Sequence, residues 1–115
     1  MNDRIKRLAD LGCDVEDAME RFLDDEDFYM ECLEQVLYDP QFQRLQTALE
    51  NHQLQEGFDC AHTLKGLAAN LGLTSLASMA SRITEPLREG KEADFMRLYR
   101  DLQSEREKYI AIITN

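Results

Sequence analysis

The sequence predicts an all-α protein, an up-and-down antiparallel four-helix bundle with short N-terminal helices packed on one end. Three observations lead there. Apolar residues recur at helical spacing in every long segment, as in Val15, Ala18, Met19 and Phe22. Five glycines and two prolines in 115 residues are too few for the many turns of an all-β chain. The connections are short, so consecutive helices return as antiparallel neighbours. A chain of 115 residues suits a single domain over 1–115, and buries about two thirds of its unfolded surface.

The elements follow from local chemistry. Residues Asn2 to Asp10 form a short leading helix with Ile5, Leu8 and Ala9 on one side, interrupted by Gly12. Asp14 stands at the N-cap of a second helix, reaching about Leu23, and Glu16 and Asp17 complement its dipole. The run Asp24-Asp25-Glu26-Asp27 is a solvated turn that caps the next helix; it lacks the spaced ligands of a calcium loop. Tyr29, Cys32, Leu33, Val36 and Leu37 then carry a stripe that Phe42, Leu45, Ala48 and Leu49 continue to Glu50. Asp39-Pro40 leaves two readings open: an N-cap and first residue of a new helix, or a kink in a long one. Asn51 and His52 make a junction in which His52 is an ordinary surface residue.

The central helix runs from about Gln53 to Leu71 and is stopped by Gly72, the residue best able to turn left-handed. Thr74 or Ser75 caps the next helix, whose stripe is Leu76, Met79, Ala80, Ile83 and Leu87. Pro86 is expected to kink or end it near Thr84, and Gly90 marks a turn. The last helix, Glu92 to Ile113, places Phe95, Leu98, Tyr99, Leu102, Tyr109, Ile110 and Ile113 on one side, with the Arg106 stem along the core.

Composition limits the function. A net charge of −10, from 23 acidic and 13 basic side chains, argues against nucleic acid and anionic membrane as partners. No apolar run approaches the roughly 18 residues of a membrane span, and Met1-Asn2-Asp3-Arg4 lacks a signal-peptide core. Cys13, Cys32 and Cys60 are scattered, as reduced structural thiols are. A cytoplasmic location is the expectation.

The central helix carries the chemistry. With roughly 100° per residue, Cys60, Leu64, Leu67 and Leu71 gather opposite His62 and form the core face. Lys65, Gly66 and Ala69 share the outward face with His62, and Phe58 stands beside them, apolar where water favours polar. A glycine inside a helix costs about 1 kcal/mol against alanine. There is no glycine-rich nucleotide loop. Cys60 is on the wrong side to pair with His62, and Asp59-x-x-His62 occurs once, where a metal bundle needs several copies facing inward. What is left is one outward imidazole, a free nitrogen nucleophile at neutral pH, with a cation one turn along. That suits phosphoryl transfer, which needs positioning and neutralised oxygens. A surface histidine beside a glycine that admits close helix packing is the competing reading of the same residues.

His62-Thr63-Leu64-Lys65-Gly66 followed by Ala68-Ala69-Asn70-Leu71-Gly72, with Leu76 and Ala80 continuing the match, closely resembles the signature of histidine-containing phosphotransfer (HPt) domains. Helix order and length resemble that family across essentially the whole chain. The resemblance implies that His62 accepts a phosphoryl group from a receiver-domain aspartate in a multistep phosphorelay and passes it to another receiver. Lys65 would steady the phosphate and Gly66 would give access to the ring. Response-regulator receivers are the implied partners, with a hybrid histidine kinase beside them; Phe58, Ala69, Arg82 and Thr84 are the partner-binding candidates. The implied chain has no autonomous kinase activity and no cofactor of its own, its Mg²⁺ coming from the receiver. Where the family often has a glutamine or glutamate that orients the imidazole, this chain has Thr84, with Glu85 and Arg82 as substitutes. An adaptor that binds receivers without being phosphorylated is the alternative, and a helical metal enzyme a more distant one.

Overall fold

Residues 3–114 are described by a computed structural model in which seven helices and no strands are found among the described residues. In chain order they are α1 (Asp3–Asp10), α2 (Val15–Arg21), α3 (Glu26–Leu37), α4 (Gln41–Glu50), α5 (Leu54–Asn70), α6 (Thr74–Glu89) and α7 (Phe95–Ile113). The neighbours close a ring: α4 packs on α5, α5 on α6, α6 on α7, and α7 on both α3 and α4. Cross-links give the directions. Ser75 at the start of α6 bonds Tyr109 near the end of α7, hydroxyl to hydroxyl at 2.6 Å. The Tyr99 hydroxyl donates to the Phe42 carbonyl, and Arg106 Nε donates to that of Leu37, so α7 runs back along α4 and α3. The guanidinium of Arg106 also lies over the Phe42 ring, 4.4 Å from its centroid, which gives the expected stem packing a polar anchor.

Tyr29, Leu33, Leu64, Leu76, Ile83 and Leu102 meet in the core, each essentially buried. Each such leucine contributes about 1.5–3 kcal/mol. The helices α1 and α2 sit at one end, where Arg4 and Arg7 donate to the carbonyls of Ile113 and Ile112. Ile5 and Leu8 are buried there, whereas Ala9 is exposed and outside the expected stripe.

Side-chain capping marks three of the helix starts. Asp14, Asp25 and Asp94 each accept a hydrogen bond from the backbone amide three residues on. At Asp39-Pro40 a new helix starts: Asp39 Oδ1 accepts from the Gln41 amide at 2.8 Å, and the chain breaks between α3 and α4. Several expected ends are corrected. Asn2 lies outside the described residues. The second helix stops at Arg21, because Leu23 and Asp24 take left-handed backbone at φ 52° and 61°. Neither Thr74 nor Ser75 caps α6; Thr74 is already helical, and the Ser75 hydroxyl is bonded to Tyr109. Pro86 lies inside α6, which continues to Glu89 and ends at Gly90, φ 67°. A proline in the last turn removes a single amide donor, little enough for flanking turns to hold. The final helix begins at Phe95 rather than Glu92, since Asp94 is the residue placed to cap it.

Candidate functional site

The helix α5 is held by its buried side: Gly57, Cys60, Ala61, Leu64 and Ala68 are covered, and Leu71 follows. The core stripe is turned toward Ala61 and Ala68, which leaves Leu67 half-buried. His62, Gly66 and Ala69 are exposed on the far side, as the periodicity predicts. Gly57 is the packing glycine, since a Cβ there would touch Leu49 and Leu87 at 3.4 and 3.6 Å. At Gly66 a Cβ would meet nothing within 4 Å. Close helix packing inside the domain therefore does not account for Gly66.

The C-terminal end of α5 is fastened by the preceding elements. The amides of Gly72 and Leu73 bond back to Ala69 and Ala68, the paired closure of a Schellman motif. Arg21 Nε donates to the Asn70 carbonyl at 2.9 Å and Nη2 to that of Ala69 at 3.3 Å. A cation at a helix C-terminus is favoured by the dipole as well as by these bonds. The Tyr29 hydroxyl donates to the Leu71 carbonyl at 2.6 Å, and the Asp14 amide to that of Gly72 at 2.8 Å. Carbonyls from Ala69 to Gly72 thus have partners from α2, α3 and the turn between α1 and α2.

Around the imidazole the side chains form a connected set. The His62 ring stacks on Phe58, one turn earlier, with centroids 5.5 Å apart and planes 6° from parallel. Arg88 of α6 lies over Phe58, its guanidinium carbon 5.6 Å from the ring centroid. Arg88 pairs with Glu85 at 2.7 Å, and the same Glu85 oxygen lies 3.8 Å from Lys65 Nζ. Both pairs are substantially exposed, where an ion pair is worth at most about 1 kcal/mol. The longer Lys65 contact is the easier to exchange for an arriving anion.

Beside this set a shallow groove between α5 and α6 is lined by Lys65, Ala77, Ser78, Ser81, Arg82 and Glu85. Arg82 is exposed along it, and its small neighbours keep the surface low. Phe58 is half-buried, so it belongs to the exposed face as well as to the bundle. Thr84 is a correction: it is fully buried and its hydroxyl donates to the Ala80 carbonyl at 2.8 Å. It can neither meet a partner nor orient His62. Cys60 is buried across the helix from His62 and donates toward Glu56; burial, followed by Glu56, pushes its thiol up to about 11, so it stays protonated at neutral pH. His52 is exposed in a left-handed turn at φ 55°. Among the described residues, no three His, Cys, Asp or Glu side chains form a metal-ligand set.

Two contributors were not singled out as site residues, Arg88 and Arg21. Arg88 follows Glu85 at i+3 on an exposed face, a visible pairing signal. Its reach to Phe58 on another helix is tertiary and has no trace in spacing.

Fold and site together define a helical bundle with one exposed imidazole on the outward face of α5, beside a glycine whose missing side chain leaves open space. The family model for the Hpt domain matches residues 16–111, nearly the whole chain, and the protein belongs to the Hpt domain family. It is accordingly a phosphotransfer module of two-component and phosphorelay signalling, a class that interacts with receiver domains and kinases. Neither the curated proteins nor the solved structures searched include a match to this chain. Among the described residues, no helix is long and apolar enough to cross a membrane.

Proposed function

We propose that His62 is the phosphoacceptor, taking a phosphoryl group from the aspartyl phosphate of one receiver and delivering it to the aspartate of another. The observation that carries this reading is the exposed imidazole beside Gly66, where the missing side chain leaves open space that the domain itself does not use. In the forward step an imidazole nitrogen lone pair attacks phosphorus in line with the acyl oxygen. The N–P bond forms, the P–O bond breaks, and the aspartate leaves as carboxylate with the electron pair. The imidazolium so formed then loses its ring proton to solvent. Delivery runs the same path backward on a second receiver. Lys65 leaves its 3.8 Å contact with Glu85 and faces the phosphoryl oxygens, a charge-assisted contact that strengthens as negative charge gathers there. Arg88 stays on Glu85, so that carboxylate is not stranded without a partner. The receiver supplies the aspartate and its Mg²⁺; this chain supplies nucleophile and shape.

The test is incubation with a receiver carrying a labelled aspartyl phosphate. Transfer of an acid-labile, alkali-stable label to the wild-type chain, and none to His62→Gln, is the expected outcome. A label that persists in His62→Gln would assign the acceptor elsewhere. Receiver binding with no label on the wild type would identify an unphosphorylated adaptor.

A further inference from the structure

We infer that Phe58 is a positioning residue that sets the plane of the His62 imidazole, taking the part for which Thr84 is wrongly placed. This rests on His62 being the phosphoacceptor. An exposed histidine on a helix turns freely about its side-chain bonds unless something holds its ring. In-line attack needs the attacking nitrogen aimed at phosphorus, so free rotation lowers the fraction of productive encounters. Polar groups are the usual means of holding a ring, and none is in place here. Thr84 is buried and its hydroxyl is committed to Ala80. Glu85 is shared between Arg88 and Lys65. Among the described residues no hydrogen bond to the His62 ring is formed, and the contact it does make is the parallel stack on Phe58.

The stack is itself supported. Phe58 is half-buried, and its ring is braced from α6 by Arg88, which Glu85 holds in turn at 2.7 Å. The i, i+4 spacing puts the two rings one above the other on one helix face. Stacking one face of the imidazole on an apolar ring leaves its edge, where both nitrogens lie, outside that contact. A leucine at position 58 would fill much of the same volume without offering a flat face. The orientation therefore depends on an aromatic ring rather than on apolarity alone.

The experiment compares Phe58→Leu and Phe58→Tyr with the wild type, using the labelled receiver and NMR of the His62 ring. The wild-type ring protons should be shifted upfield by the Phe58 ring current, retained in Phe58→Tyr and lost in Phe58→Leu. Phe58→Leu should lower the maximal transfer rate about five-fold, the rate equivalent of one stacked aromatic pair, at an unchanged half-saturating receiver concentration. Phe58→Tyr should restore the rate. An absent ring-current shift in the wild type, a wild-type rate in Phe58→Leu, or a loss confined to half-saturation would each overturn the role; the last would make Phe58 a docking residue only. A wild-type chain that takes no label overturns the phosphoacceptor reading and this role with it, while the ring-current shift still reports the stack by itself.

Discussion

Position 66 separates what the fold needs from what a partner needs. A glycine inside a helix costs about 1 kcal/mol against alanine, mainly by freeing the unfolded chain, and is retained where a side chain would be in the way. Nothing within the domain is in the way at Gly66, since its Cβ would project into open space. Gly66→Ala is therefore expected to stabilise the fold by about 0.5–1 kcal/mol, seen as a higher urea midpoint. The same methyl stands on the face proposed to meet the receiver, so transfer to His62 should slow in the more stable variant. A variant that transfers as fast as the wild type would remove the argument that the surface is kept low for access. Thr84 shows the reverse case, a residue assigned to the partner face that belongs to the core. Leu76, Ala80 and Thr84 are spaced by fours, so the apolar stripe of α6 already included it. A threonine can enter such a stripe by turning its hydroxyl onto the carbonyl four residues back, which is the bond it makes to Ala80.

At the scale of the element, the ending of α5 couples the histidine helix to the N-terminal segment. Gly72 has φ 75°, and a Cβ there would lie 2.5 Å from the Asp14 carbonyl oxygen. Gly90 has φ 67° but open space around it. The two glycines thus divide backbone strain from steric overlap. Gly90→Ala should cost about 1 kcal/mol from the left-handed backbone alone, and Gly72→Ala about 3 or more, because the Asp14 backbone must also move. Urea unfolding of both variants measures the difference, and equal losses would mean that Asp14 yields without cost. Gly72 is legible as a helix stop and Gly90 as a turn, because a glycine closing a helical stripe is a local signal. That signal does not reveal why Gly72 matters most, since Asp14 is distant along the chain. The same division explains the other misses. Asp39-Pro40 is ambiguous on local chemistry alone, and the bond from the Gln41 amide to the Asp39 carboxylate decides it for a new helix. Thr74 or Ser75 reads as a cap from spacing alone, because the partner of Ser75, Tyr109, lies on another helix. Pro86 signals a kink or an end by local propensity, and of the two the end is not taken, since α6 runs on to Glu89. Stripes and stops are local and legible; the choice among competing partners for a hydroxyl or a guanidinium is tertiary.

For the whole molecule, burial of weak acids predicts how stability responds to alkali. The Cys13 thiol and the Tyr29, Tyr99 and Tyr109 phenols are all pushed up, in each case chiefly by burial. Cys60 is raised by burial from 9.0 to about 11. In the unfolded chain these groups ionise near their reference values, about 8.5 for a thiol and 10 for a phenol. Between the unfolded and folded values the folded chain binds more protons, so stability falls as pH rises. Below the unfolded values the contribution is complete. Each group that has ionised only in the unfolded chain adds a slope of up to about 1.4 kcal/mol per pH unit. The bundle should therefore show a level urea midpoint from neutral pH to about 8.5, and a steepening decline above it. Cys60 lines the core side of the helix that carries His62, so loss of its packing on unfolding also disperses the site. Cys60→Ala begins from a lower midpoint, because a buried side chain is truncated, but should decline less steeply between pH 9.0 and about 11. Urea titrations of both proteins across that range decide the matter: a wild-type midpoint that stays level to about pH 11, or parallel declines in the two proteins, would show that these thiols and phenols do not link folding to pH.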